Sequence, residues 1–147
     1  MKITIQTIGK EQEEELLLKC HELTDEMVSL VNNFKHQDNC LIGYIQNDIH
    51  RILYRDIYYF EAVDNKVFIY SQDKVYESKQ KLYELERLCE SRKFFRCSKS
   101  TILNIEKIMI VRPSISGRFE AVLDNKERVT ISRQYVPLLK SKIGLGV

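Results

Sequence analysis

Near residue 41 the hydrophobic period of this chain changes, and that change limits the folds open to it. Before it, Leu23, Met27, Leu30, Val31 and Phe34 recur at helical spacing. After it, apolar residues come in short runs parted by polar links, which is the pattern of strands. A chain of 147 residues with 44% apolar content can bury one core of ordinary size. The expected fold is therefore mostly β with short helices, an α+β domain over residues 42–147, preceded by a small strand/helix extension over residues 1–41.

Within the extension, residues 2–8 set Ile3, Ile5 and Ile8 against Thr4, Gln6 and Thr7, which predicts a strand. Gly9 and Lys10 break it, and an acidic run over 11–15 leads into 16–20, readable as a short strand or a helical turn, with the strand favoured. Thr24 is a candidate N-cap, with Asp25 and Glu26 in the first turn of a helix over 24–35. The polar run 35–39 should end that helix. Farther on, strands are expected at 41–45, 49–54, 56–63, 67–70 and 74–78, with a hairpin turn at Asp64-Asn65-Lys66. A helix over 80–89 places Leu82, Leu85, Leu88 and Cys89 on one face. Strands at 107–112, 118–123 and 128–132 follow, then a helix over 135–143 with Pro137 in its first turn and Gly144 past its end.

The net charge of +2 conceals an asymmetry. Residues 1–41 hold four Lys/Arg and eight Asp/Glu, whereas residues 92–142 hold twelve and four. A local balance of +8 favours an anionic partner, nucleic acid first. No apolar run is long enough to span a bilayer, and the start lacks the apolar core of a secretory signal, which points to the cytoplasm. Cys20, Cys40, Cys89 and Cys97 are widely spaced and expected as free thiols. His36 and Cys40 stand four apart with nothing nearby to complete a zinc set, so no metal and no cofactor is expected.

Catalytic signatures are missing as well. No phosphate-cradling glycine loop is present, and no histidine lies in the β-rich region to activate Ser100, Ser132 or Cys97. Asp48, Asp56, Glu61 and Asp64 read as acidic hairpin ends, and the chain is not expected to be an enzyme. Cys97 lies between Arg96 and Lys99, where cations can lower a thiol pKa, but a buried structural thiol is the favoured reading. Phe68 and Tyr70 could stack on bases, with core packing favoured.

Residues 94–104, Phe-Phe-Arg-Cys-Ser-Lys-Ser-Thr-Ile-Leu-Asn, carry a polar patch between apolar ends. Short hydroxyls beside Arg96 and Lys99 suit contacts to a phosphate backbone. Ser132-Arg133-Gln134-Tyr135 forms a second candidate at a strand-to-helix junction. Arg and Lys can reach guanine O6/N7, and Gln can pair with adenine.

The order of these pieces resembles the LytTR DNA-binding domain family. Asp56-Ile57-Tyr58-Tyr59-Phe60-Glu61, Phe95-Arg96-Cys97-Ser98-Lys99-Ser100, Leu103-Asn104 and Ser132-Arg133-Gln134-Tyr135 follow that family's D-I-x-Y-I/F-E, F-x-R-x-H/S-x-S, V/L-N and S-R-x-Y across residues 42–143. The resemblance implies an elongated, mostly β domain that inserts loops into successive major grooves of double-stranded DNA. It places contacts at Asn65 and Lys66, at Arg96, Ser98, Lys99 and Ser100, and at Arg133 and Gln134. Where the family often has His, this chain has Ser98, which moves the leading contact to Lys99. Only about 41 residues precede the match, too few for a receiver domain of roughly a hundred, and the front end resembles small stand-alone members. A homodimer is expected, and small regulators of this type imply a regulatory membrane protein encoded nearby as a possible partner. The alternative is a protein-interaction domain or antiactivator of the same fold.

Overall fold

The computed structural model describes residues 1–90 and 92–145, the side chains of residues 32–38 excepted. The chain forms two compact units, the first Met1–Lys35 and the second from His36 onward.

In the first unit the one regular element is the helix α1, Asp25–Asn39, which continues into the second. Its start is where the sequence places it. Met27 N–H donates to Thr24 Oγ1 at 3.3 Å, with Asp25 and Glu26 in the first turn. It runs past residue 35 because the polar residues that follow include no Gly or Pro to stop it. The strands expected at 2–8 and 16–20 do not form, and Ile3, Ile5, Leu16 and Leu17 are exposed. Alternation supplies a strand's faces but not its partner, and a strand without a neighbour has no ladder to hold it. Leu23 and Leu30 of the expected apolar face are exposed, while Met27 is half-buried. Phe34 and the His36 side chain lie outside the described residues.

The second unit is mostly β with short helices. Its large sheet holds β1 (Cys40–Ile45), β2 (Asp48–Leu53), β3 (Tyr59–Val63), β4 (Lys66–Tyr70), β5 (Val75–Ser78), β6 (Phe94–Arg96) and β7 (Thr101–Asn104). All pairings are antiparallel, in the order β2-β1-β5-β4-β3-β7-β6. A second sheet orders β10 (Arg128–Ile131), β9 (Phe119–Leu123) and β8 (Ile108–Pro113). Helix α2 (Leu82–Leu88) links β5 to β6, and α3 (Val136–Lys142) follows β10.

Two cores result, and the strands beside the candidate loop feed both. Phe60, Ile69, Phe94 and Ile102 join Leu82, Leu85 and Cys89 of the α2 region in the first. Phe95, Cys97 and Leu103 join Ala121, Leu123, Ile131 and Leu139 in the second. Successive strand residues point to opposite faces, so a strand covered on both sides must be apolar at every position. This explains the unbroken Phe94-Phe95 and Ile102-Leu103. Helix α2 turns Leu82, Leu85 and Cys89 inward, whereas Leu88, expected on that face, is 44% exposed. It sits six residues after Leu82, away from the i, i+3, i+7 stripe.

Two polar contacts fasten the segment that enters β3. The Tyr58 hydroxyl donates to Asp124 Oδ1 in the β9–β10 turn. Buried Asn104 donates from Nδ2 to Ile57 O at 2.8 Å, and its Oδ1 accepts from Glu106 N–H at 3.0 Å, closing the 3-10 turn Ile105–Lys107. Asn104→Ala should strand the Ile57 carbonyl and lower unfolding free energy by about 1–3 kcal/mol in urea titration. An unchanged midpoint would show that water replaces the amide without cost.

Candidate nucleic-acid interface

The loop between β6 and β7 is built by its own arginine. Arg96 Nε donates to Ser98 O at 2.8 Å, Nη2 to Lys99 O, and Nη1 to Glu86 Oε2 at 2.6 Å. The guanidinium fork, with donors fixed in one plane, thus bridges α2 to two carbonyls of the loop. Within the loop, Ser98 Oγ accepts from Ser100 N–H at 3.2 Å and lies 3.4 Å from Ser100 Oγ. Such hydroxyl-to-backbone bonds are those of tight turns. Ser98 and Ser100 are half-buried, and Lys99 is exposed at the apex.

Two backbone hydrogen bonds join this loop to the other candidate segments. Ser132 N–H donates to Cys97 O at 2.8 Å, which fixes the β10–α3 junction against the loop. Ala62 N–H donates to Ser100 O at 2.8 Å, which fixes the loop against β3 just before its hairpin turn. There Asp64 and Asn65 take φ of 51° and 65°, the left-handed pair of a type I′ turn that Asp and Asn tolerate. Asn65 and Lys66 are exposed on it. The three segments singled out in the sequence are therefore brought together.

Arg133 and Gln134 are exposed in a 3-10 turn, Arg133–Tyr135, at the head of α3. The structure adds two neighbours to this junction that no motif in the sequence marks. Ser116 and Arg118 line a shallow recess with Ser132, Arg133 and Gln134. Gly117 lets Arg133 lie down here. A Cβ at 117 would come within 2.9 Å of Arg133 Cδ, and the φ of 75° is itself a glycine conformation. Among the described residues, no ion pair or hydrogen bond engages the side chains of Lys66, Lys99, Arg118 or Arg133. These cations are free to neutralise an anionic partner; Arg96 is already committed.

Other candidates are absorbed by packing. Tyr70 stacks on Tyr59 across the β3–β4 pair, with ring centroids 4.3 Å apart, and Phe68 is half-buried. Cys97 is buried, its Sγ 3.6 Å from Thr101 O, and burial pushes the thiol up to about 12 in spite of nearby Arg96. Burial raises Cys89 to about 12 as well. None of the four cysteines is in a disulfide. A disulfide-exchange reagent should modify Cys20 and Cys40 in the native protein and spare Cys89 and Cys97 until it unfolds. Because the folded thiols hold their protons more tightly than the usual 9.0, their contribution is complete below pH 9 and drains as pH rises toward 12. Tyr58, raised from 10.0 to about 12 chiefly by its bond to Asp124, acts in the same direction. Melting temperature should fall across that window, and a flat profile would refute the assignment.

Comparison with known proteins is consistent with this geometry. The family model described as the LytTr DNA-binding domain matches residues 47–144. The chain is 27% identical over 150 residues to an uncharacterized HTH-type transcriptional regulator of Staphylococcus aureus strain MSSA476, covering 99% of both. A counterpart in strain MRSA252 is 26% identical with the same coverage. The fold is similar to a LytTr DNA-binding domain from Bacillus cereus, with a TM-score of 0.68 and 25% identity over 72% of this chain and 97% of that one. The helix-turn-helix label belongs to the Staphylococcus relatives. Among the described residues here, strands separate every α-helix from the next.

Proposed function

Because this chain belongs to the LytTr DNA-binding domain family and is a DNA-binding transcription regulator, we propose that it reads its operator through loops held on a β scaffold. The observation that carries this reading is the pair of backbone bonds that gather the 64–66 turn, the 98–100 loop and the 132–134 junction at one place. Lys99 and Arg133 make the leading contacts, with Asn65, Lys66, Ser98, Ser100 and Gln134 beside them. Arg118 and Ser116 add a phosphate contact. Arg96 acts as a positioning residue, since its donors already have acceptors within the protein. Cations at separate segments suit phosphates of one strand as it passes, and side chains between them reach base edges in the major groove. No catalytic role is assigned to any residue.

Fluorescence anisotropy on the DNA upstream of the chain's own gene tests the reading. Specific binding should weaken steeply with salt, by close to one unit of log K per log salt for each phosphate neutralised. Absence of saturable binding to any promoter fragment would favour an interaction domain or antiactivator instead.

Residues 1–41 serve in this proposal as a dimerising extension of a DNA-binding domain over 42–147. Support comes from Leu23 and Leu30, 67% and 47% exposed near and on α1, since apolar faces left in water mark interaction sites. Leu23→Ser/Leu30→Ser in the full chain should shift sedimentation from dimer to monomer at micromolar concentration. A membrane protein encoded nearby is a further candidate for this face. The regulator itself works in the cytoplasm in this reading; no described helix is long and apolar enough to cross a membrane.

A further inference from the structure

We propose that the recess between the 3-10 turn after β2 and the start of β6 binds a small organic anion with a flat apolar body. Its volume is about 630 Å³, within the range of roughly 300–1,000 Å³ usual for ligand sites. It lies within the second unit and apart from the DNA-contacting loops.

The floor is apolar and complete. Tyr54 and Phe94 meet edge to face with centroids 6.3 Å apart at 70°. Asn104 closes the base, and its amide already holds Ile57 O and Glu106 N–H. The floor is therefore apolar where Leu53, Tyr54 and Phe94 line it, although each ring shows less than a tenth of its surface, and its amide asks for no further hydrogen bond. The Arg92 guanidinium lies 3.8 Å over the Tyr54 ring and extends the wall.

The rim is cationic. Arg55 and Lys93 are exposed there, and among the described residues Glu106 is the one carboxylate lining the cavity. The Lys93–Glu106 pair is 3.9 Å apart with both side chains largely in solvent, so little holds it closed. Arg55 and Lys93, both exposed at the mouth of a concavity, concentrate positive potential there. A carboxylate or phosphate head would sit at the rim while its apolar body covered the rings. A duplex phosphate would satisfy the rim and leave the rings unfilled.

The position also keeps ligand and DNA from competing. Phe94 pairs with Asn104 at one end of β6–β7, while Arg96 pairs with Ile102 at the other, where the loop begins. One strand length separates the recess from the loop that carries Lys99.

The test is an amide NMR titration of the full chain with phenyl phosphate, inorganic phosphate and benzyl alcohol in parallel. Phenyl phosphate should give saturable shifts at Arg55, Phe94, Asn104 and Glu106, at least tenfold tighter than either fragment. Arg55→Ala/Lys93→Ala, with an otherwise unchanged spectrum, should weaken it at least fivefold. Equal binding of inorganic and phenyl phosphate would overturn the proposal. So would shifts confined to Lys99 and Arg133, or an unaltered affinity in the double variant.

Discussion

A Lys99→Ala/Arg133→Ala double variant will bind operator DNA at least a hundredfold more weakly than the parent at moderate salt, with its fold intact. Each side chain that reaches a base edge or phosphate contributes about 1–3 kcal/mol, and about 1.4 kcal/mol is tenfold in affinity. Both side chains are exposed and, among the described residues, held by no ion pair, so truncation costs the folded state little. The two singles separate the roles. A residue on a phosphate should lower the salt slope by about one across all sequences, and a residue on a base should relax preference at one position. The two sites lie on segments joined by one hydrogen bond, so any departure of the double from the sum of the singles measures their coupling. Parental affinity in the double variant would remove both residues from the contact surface.

Arg96→Ala should reduce DNA affinity at least tenfold without Arg96 touching DNA. Three of its donors hold the loop and α2 in register. Removing them frees the Ser98 and Lys99 carbonyls and leaves Glu86 alone, which should also cost about 1–3 kcal/mol of stability. Arg96→Lys is the discriminating variant. An ammonium keeps the charge but cannot present donors in a fixed plane to three acceptors. If Arg96 were a phosphate contact, Lys would restore most of the affinity and Glu86→Gln would be silent. As a brace, Lys should rescue poorly, and Glu86→Gln should weaken binding although Glu86 itself bears the wrong charge for DNA.

Much of this was legible in the sequence, and the failures share a cause. Eight of the ten strands of the second unit could be read because their faces are buried on one side or both, and burial writes itself into every second residue or every residue. Strands β6 and β7, three and four residues long, were too short to show a period and stood out only as apolar ends of the loop. The stretch over 2–8 carries the same alternation, yet its partner would have to come from elsewhere, and nothing in Ile3 or Ile5 says whether one exists. The candidate loop was visible through its hydroxyls and cations. The division of labour inside it was not, since an arginine that braces carbonyls and one that meets phosphate look identical in a string. Ser116 and Arg118 escaped for a related reason. Their place beside Arg133 depends on how the β8–β9 turn meets the β10–α3 junction, a contact between residues about fifteen positions apart with no periodic signature.

The stems of the loop have one more consequence. Phe94, Phe95, Ile102 and Leu103 are set in two cores, and Arg96 holds the loop through backbone carbonyls, atoms that every residue possesses. The apex at position 99 is thus insulated from foldability. If Lys99 reads the operator as proposed, a lineage, or an engineer, can exchange the side chain there and try new operators while the scaffold beneath stays indifferent to the choice.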